Sequence, residues 1–168
     1  MGDRLKGRVA IVTGAGRGIG RGEALALASE GAYVLINDVG ASLDGSGAEG
    51  TPAEQVVQEI KAMGSQAVAN YDNIVETETG EKLVKLALDT WGRLDIVVNN
   101  AGILRDRMIF NMAPEDWDAV IAVHLRGHFN VTRPACVYFR QERKGGVIVN
   151  TSSTSGLGNP GQTNYAAA

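Results

Sequence analysis

The run Val9-Ala10-Ile11-Val12-Thr13-Gly14-Ala15-Gly16-Arg17-Gly18-Ile19-Gly20 decides how the rest of the chain must be read. Its first five residues are nearly all apolar or β-branched, as a strand buried on both faces requires. Glycines follow at 14, 16, 18 and 20, and Leu25, Leu27 and Ala28 then start a helical pattern. A buried strand that turns this tightly into a helix is the first half of a βα unit. Outward from it the alternation repeats. Tyr33–Asp38, Gln66–Asp72, Leu94–Asn99 and Val147–Thr151 read as four further strands, with amphipathic stretches between them.

Two of the intervening helices carry boundary signals. Thr51-Pro52-Ala53-Glu54 reads as N-cap, N1 proline and N3 glutamate of a capping box. Val56, Ile60 and Met63 form the expected buried stripe of that helix, and Gly64 ends it. The other helix begins near Pro114, and its apolar stripe runs through Trp117, Val120, Ile121, His124, Leu125, His128 and Phe129. Right-handed crossovers then give an α/β, doubly wound parallel sheet of the Rossmann type, with strand order 3-2-1-4-5. The reversal between strands one and four opens a crevice at their carboxyl ends, and the glycine run lies in it.

The 168 residues are 44% hydrophobic and 21% charged, which suits a single domain spanning 1–168 with one core. Glycine supplies 22 of them, roughly double the ordinary ~7% usage, and no G-X-Y period accounts for it. Sixteen basic and nineteen acidic residues give a net charge of −3 without long like-charge runs. That pattern argues against nucleic acid or an anionic membrane as partner and favours a small-molecule substrate. The lone Cys136 cannot close an internal disulfide, and no Cys/His spacing suggests zinc. A reducing, cytoplasmic setting without a metal site is expected, because Met1–Val12 also lacks the apolar core of a signal peptide.

Gly14, Gly18 and Gly20 allow the turn, let backbone approach a pyrophosphate and leave its charge at a helix N-terminus. Arg17 and Ile19 lie in the same loop. The general fingerprint G-x-G-x-x-G fails, since Ile19 stands five after Gly14 and Glu23 five after Gly18. No Gly-Lys-Ser/Thr follows, so a P-loop fails as well. Asp38 closes the second strand, 18 residues after Gly20, close to the spacing at which a carboxylate accepts from the adenosine ribose hydroxyls. A carboxylate there repels a 2′-phosphate, so NAD is expected in preference to NADP. Asp38 as a simple turn residue is the alternative.

These segments, with Asp72, Asn99-Asn100-Ala101-Gly102 and the serine-rich strand end running to Tyr165, resemble the short-chain dehydrogenase/reductase family over essentially the whole chain. The finer resemblance is to the (3R)-hydroxyacyl-CoA dehydrogenase unit of multifunctional β-oxidation enzymes and their bacterial relatives. It rests on Asn37-Asp38-Val39-Gly40, Ala67 to Asp72, Gly102-Ile103-Leu104-Arg105-Asp106-Arg107 and Val123-His124-Leu125-Arg126-Gly127. The resemblance implies hydride transfer between nicotinamide and a secondary alcohol or ketone, with an acyl-CoA among the candidate substrates. It also implies adenine binding by Asp72 and the backbone of Asn73, a floor beneath the nicotinamide ribose from Asn99, Ala101 and Gly102, and a homodimer or homotetramer built partly on the long fourth helix.

Reducing a carbonyl needs a proton donor on its oxygen and the reverse needs a base, so one hydroxyl must serve both directions. The resemblance gives that role to Tyr165. A free tyrosine ionises near ~10 and needs positive charge beside it to act near neutrality. The family's lysine stands four residues on, one beyond Ala168, so the sequence is expected to be cut inside its active site and the 168 residues alone to be inactive. The substrate-oxygen serine falls on Ser152 by counting and on Ser153 by motif, because Gly156–Gln162 is one residue shorter than the related pattern. His124 stands where the family usually carries a relay asparagine; a hydrogen-bonded core histidine is the other reading, and His128 reads as packing. Two functional alternatives stay open. One is an NADP-preferring 3-ketoacyl reductase, and the other is a nucleotide-binding domain without catalysis.

Overall fold

The computed structural model describes residues 2–42, 44–47 and 51–168. Five parallel strands, β1 (Val9–Thr13), β2 (Tyr33–Asn37), β3 (Ala67–Asn70), β4 (Ile96–Asn99) and β5 (Val147–Asn150), form one sheet in the order β3-β2-β1-β4-β5. The expected order holds, and the strands after the first are shorter than expected by one to three residues. β1 pairs with β2 on one side, Ile11 against Leu35, and with β4 on the other, Ile11 against Val97.

All five residues of β1 are fully buried, and their alternation splits them between two cores. Ala10 and Val12 join Ala24, Ala28, Val56 and Ile60 beneath α1 (Gly18–Ser29) and α2 (Thr51–Ala62). Val9 and Ile11 join Leu83, Val97, Val131 and Phe139 beneath α3 (Thr79–Trp91) and α5 (His128–Glu142). Each fully buried Val or Ile of this kind contributes about 1.5–3 kcal/mol. That continuous burial is why the glycine loop after β1 starts from a rigid platform.

Met63 departs from its expected stripe and is 41% exposed, because α2 ends at Ala62 and the chain turns away through Gly64 at φ 87°. Glu54 accepts a hydrogen bond from the Tyr71 hydroxyl. The cap assigned to the Thr51 side chain lies outside the described residues.

The long fourth helix is also not one uniform stripe. α4 (Pro114–Ile121) passes into a wider π-helical stretch, Ala122–Gly127, before α5 begins. An extra residue in a turn rotates everything after it by about 100° about the axis. His124 and His128 consequently face the crevice, while Leu125 and Phe129, expected in the same stripe, are 54% and 61% exposed. α6 (Thr163–Ala167) carries Tyr165 back to this run.

Candidate active site

At the carboxyl ends of β1 and β4 the sheet opens into a cleft of about 740 Å³. This is where strand order reverses, the place an open α/β sheet binds its ligand. Two side chains lock its floor. Thr13 Oγ1 accepts from the backbone N–H of both Asn100 and Ala101 at 3.1 Å, and Asn100 Nδ2 donates to the carbonyls of Thr13 and Gly14 at 3.1 Å. The loop after β1 and the loop after β4 are thereby tied to each other.

Gly14, Arg17, Gly18 and Ile19 line the cleft as expected, whereas Gly20 lies beneath it. A Cβ on Gly20 would sit 2.3 Å from the Gly14 carbonyl oxygen, so only glycine lets α1 pack this closely under the loop. Gly18 takes φ 54°, and nothing lies within 4 Å of where its Cβ would be. Arg17 precedes α1 in an extended conformation and gives no side-chain cap. The first N–H groups of α1 therefore face an open cradle suited to a pyrophosphate.

Asp38 stands at the other rim. Its Oδ2 accepts from Gly16 N at 2.8 Å and its Oδ1 from Gly40 N at 2.7 Å, which holds the carboxylate on the cleft with lone pairs to spare. A dinucleotide would fit these groups, its phosphates at the N-terminus of α1 and a ribose at Asp38. Asn73 lines the cleft, but the Asp72 side chain accepts from Asn70 Nδ2 at 2.8 Å and Asp72 is not among the lining residues. Asn99 requires a correction. It is fully buried and donates to Thr132 Oγ1 and Asn150 Oδ1, both at 2.9 Å, so it pins β4 between β5 and α5. Its neighbour Asn100 lines the floor together with Ala101 and Gly102.

Tyr165 and His124 line the same cleft, their ring centroids 5.0 Å apart and their planes at 88°. Ile103 N donates to His124 Nε2 at 3.0 Å, and His128 Nε2 lies 2.9 Å from the Ala101 carbonyl oxygen. Two histidines one turn apart thus hold the loop after β4 by its backbone. Gly102 makes room for this, since a Cβ there would meet His124 Cε1 at 2.4 Å. Burial pushes both histidines below the usual imidazole range, against the opposing pull of the Ile103 and Ala101 carbonyl oxygens, each 2.9 Å from an Nε2. Sequence reasoning assigned His128 to packing alone; its spacing of four from His124 is the signal that places both on one face.

The serines stand apart from this cluster. Ser153 Oγ accepts from Ser155 N at 3.2 Å and donates to Ser155 Oγ at 3.2 Å, capping a short 3₁₀ turn, Thr154–Leu157. Neither Ser152 nor Ser153 is among the cleft-lining residues, and Thr151 is the residue of that strand end that is.

Residues 8–168 match the short chain dehydrogenase family model. The chain is 52% identical, over 98% of its length, to peroxisomal multifunctional enzyme type 2 of Mus musculus, of which it spans 22%. It is 52% identical, again over 98% of its length, to hydroxyacyl-CoA dehydrogenase ChsB1 of Mycobacterium tuberculosis, of which it spans 53%. A solved short chain dehydrogenase from Mycobacterium avium superposes with a TM-score of 0.88 at 52% identity, covering 97% of this chain and 58% of that one. The chain therefore covers about half or less of most of these relatives, and it belongs to the short-chain dehydrogenase family.

Proposed function

We propose that the protein to which this chain belongs oxidises or reduces a secondary alcohol/ketone pair with NAD in preference to NADP, and that its substrate is a 3-hydroxyacyl-CoA. The observation that carries the reading is the presence of Tyr165 on the same cleft as the α1 cradle and Asp38. The substrate class is supported by the relative named hydroxyacyl-CoA dehydrogenase ChsB1. Bound nicotinamide dinucleotide supplies the hydride donor or acceptor. The chain's own residues do the rest. The N–H groups of α1 hold the phosphates, Asp38 accepts from ribose hydroxyls and repels a 2′-phosphate, and Ala101 and Gly102 support the reacting end.

The Tyr165 hydroxyl gives its proton to the carbonyl oxygen in reduction and takes it back in oxidation. His124, tied to Ile103 and held below the usual imidazole range by burial, packs edge to face with the Tyr165 ring rather than exchanging the proton itself. Ser153, the first candidate to bind the reacting oxygen, would have to release its turn to do so, with Ser152 beside it. A homodimer or homotetramer is supported by Leu125, Phe129 and Val137, all exposed on the run from α4 to α5.

The test uses the full-length protein with a (3R)-hydroxyacyl-CoA and NAD, following NADH absorbance. Turnover is expected in the wild type and is expected to vanish in Tyr165→Phe, which should still bind NADH. The 168 residues alone are expected to show no appreciable turnover. Wild-type turnover by Tyr165→Phe would place the proton elsewhere and overturn the mechanism.

A further inference from the structure

Arg105 lies outside the groups assigned above, yet it contacts three parts of the site. Its Nε donates to the Asp44 carbonyl oxygen at 2.8 Å, in the segment that follows Asp38. Its Nη1 lies 3.4 Å from Asp116 Oδ1 on α4. Its own carbonyl oxygen accepts from Asn164 Nδ2 at 3.0 Å. Asn164 immediately precedes Tyr165 and is fully buried.

The amide of Asn164 is saturated. Nδ2 also donates to the Asp116 carbonyl oxygen at 3.1 Å, and Oδ1 accepts from Tyr165 N at 2.8 Å. A buried amide with both donors and its acceptor engaged has one stable orientation, because any rotation strands a polar group away from water. Where the backbone of Arg105 and Asp116 goes, the tyrosine's first turn goes too. Neighbouring bonds follow the same path: Arg107 N donates to the Gly161 carbonyl and Gln162 Nε2 to Asp106 Oδ2, both at 2.8 Å.

On the other side, the Asp44 contact draws the segment after Asp38 over the loop after β4. Gly45 sits there against Ile103, close enough that an added Cβ would lie 3.3 Å from the Ile103 side chain. Ala41, Ser42, Gly45 and Arg105 all line the cleft on this side. A guanidinium is suited to such a junction, since its planar fork donates in several fixed directions at once, whereas an ammonium has a single point of charge.

We propose that Arg105 is a positioning residue that couples the ribose-binding rim of the cleft to the catalytic tyrosine: its guanidinium holds the first through the Asp44 carbonyl and the second through Asp116, whose carbonyl, like that of Arg105, anchors Asn164. The proposal rests on the reading that a nicotinamide dinucleotide fills the cleft and Tyr165 moves the proton. It follows that disturbing the guanidinium affects dinucleotide binding and turnover together, whereas disturbing Asn164 affects turnover alone.

The experiment uses the full-length protein and separates the two readings. NADH binding by the wild type, together with loss of turnover in Tyr165→Phe, first establishes the cleft and the proton carrier. Arg105→Gln is then expected to weaken NADH binding at least threefold and lower kcat at least tenfold. Asn164→Ala is expected to lower kcat at least tenfold with NADH affinity within twofold of wild type. Arg105→Lys, which keeps the charge but not the fork, is expected to recover less than half of the lost kcat. A structural role alone predicts that loss of activity tracks the folded fraction seen in thermal melts, with kcat per folded molecule unchanged, and that result would overturn the proposal. Unaltered binding and kcat in Arg105→Gln would overturn it as well. Should Arg105→Gln not fold, Arg105→Lys decides: wild-type values for both quantities count against the coupling.

Discussion

The His124 and Tyr165 rings meet edge to face, at a centroid separation of 5.0 Å and an interplanar angle of 88°. A second imidazole, His128, stands 6.2 Å from His124. Burial keeps both imidazoles neutral where a free histidine would begin to protonate.

That relationship sets a pH dependence. The folded-state pKa of each histidine is lowered from the ordinary 6.5, so on acidification the unfolded chain binds protons before the folded one does. The stabilisation is fully present above about 6.5 and is lost as pH falls through the lowered native values. Thermal melts of the protein should show Tm falling by several degrees from about pH 7.5 to about pH 5.5. The slope over that window should be shallower in a His124→Gln/His128→Gln double variant. Equal slopes would remove the imidazoles from the account.

Asp38→Ala tests cofactor choice. Wild-type protein should bind NADH at least tenfold more tightly than NADPH, a gap of about 1.4 kcal/mol. Removing the carboxylate abolishes repulsion of the 2′-phosphate and also frees the N–H groups of Gly16 and Gly40. NADH affinity should fall while the gap narrows, as read by titrating nicotinamide fluorescence with both cofactors. A wild type that binds the two equally would refute the ribose assignment.

Two glycines of α1 make a paired comparison. Gly20→Ala drives a methyl to 2.3 Å from the Gly14 carbonyl oxygen, while at Gly22 nothing lies within 4 Å. Gly20→Ala should cost about 1–3 kcal/mol in denaturant melts and more than tenfold in NADH affinity. Gly22→Ala should stabilise the helix by about 0.5–1 kcal/mol and leave binding unchanged. Equal tolerance of both substitutions would mean that α1 does not need its close approach to the loop.

Much of this molecule was legible in its linear order. Hydrophobic runs at strand spacing and the glycines after β1 determined the parallel sheet and its order, because chain handedness leaves few ways to connect successive βα units. The same reasoning put Gly18 and Asp38 at strand ends on the crevice, and the resemblance to the family pointed to Tyr165; all three line the cleft. Tertiary structure alone decided the rest. Asn99 and Asn100 are adjacent in sequence, but β4 ends between them, so one is a buried pin at the strand end and the other a residue of the cleft floor. A π-helical stretch, invisible in residue spacing, left Leu125 and Phe129 exposed where the stripe alone put them inward. The junction at Arg105 likewise joins Asp44, Asp116 and Asn164. Contacts between residues so far apart in the chain are set by packing of the whole, and no local pattern announces them.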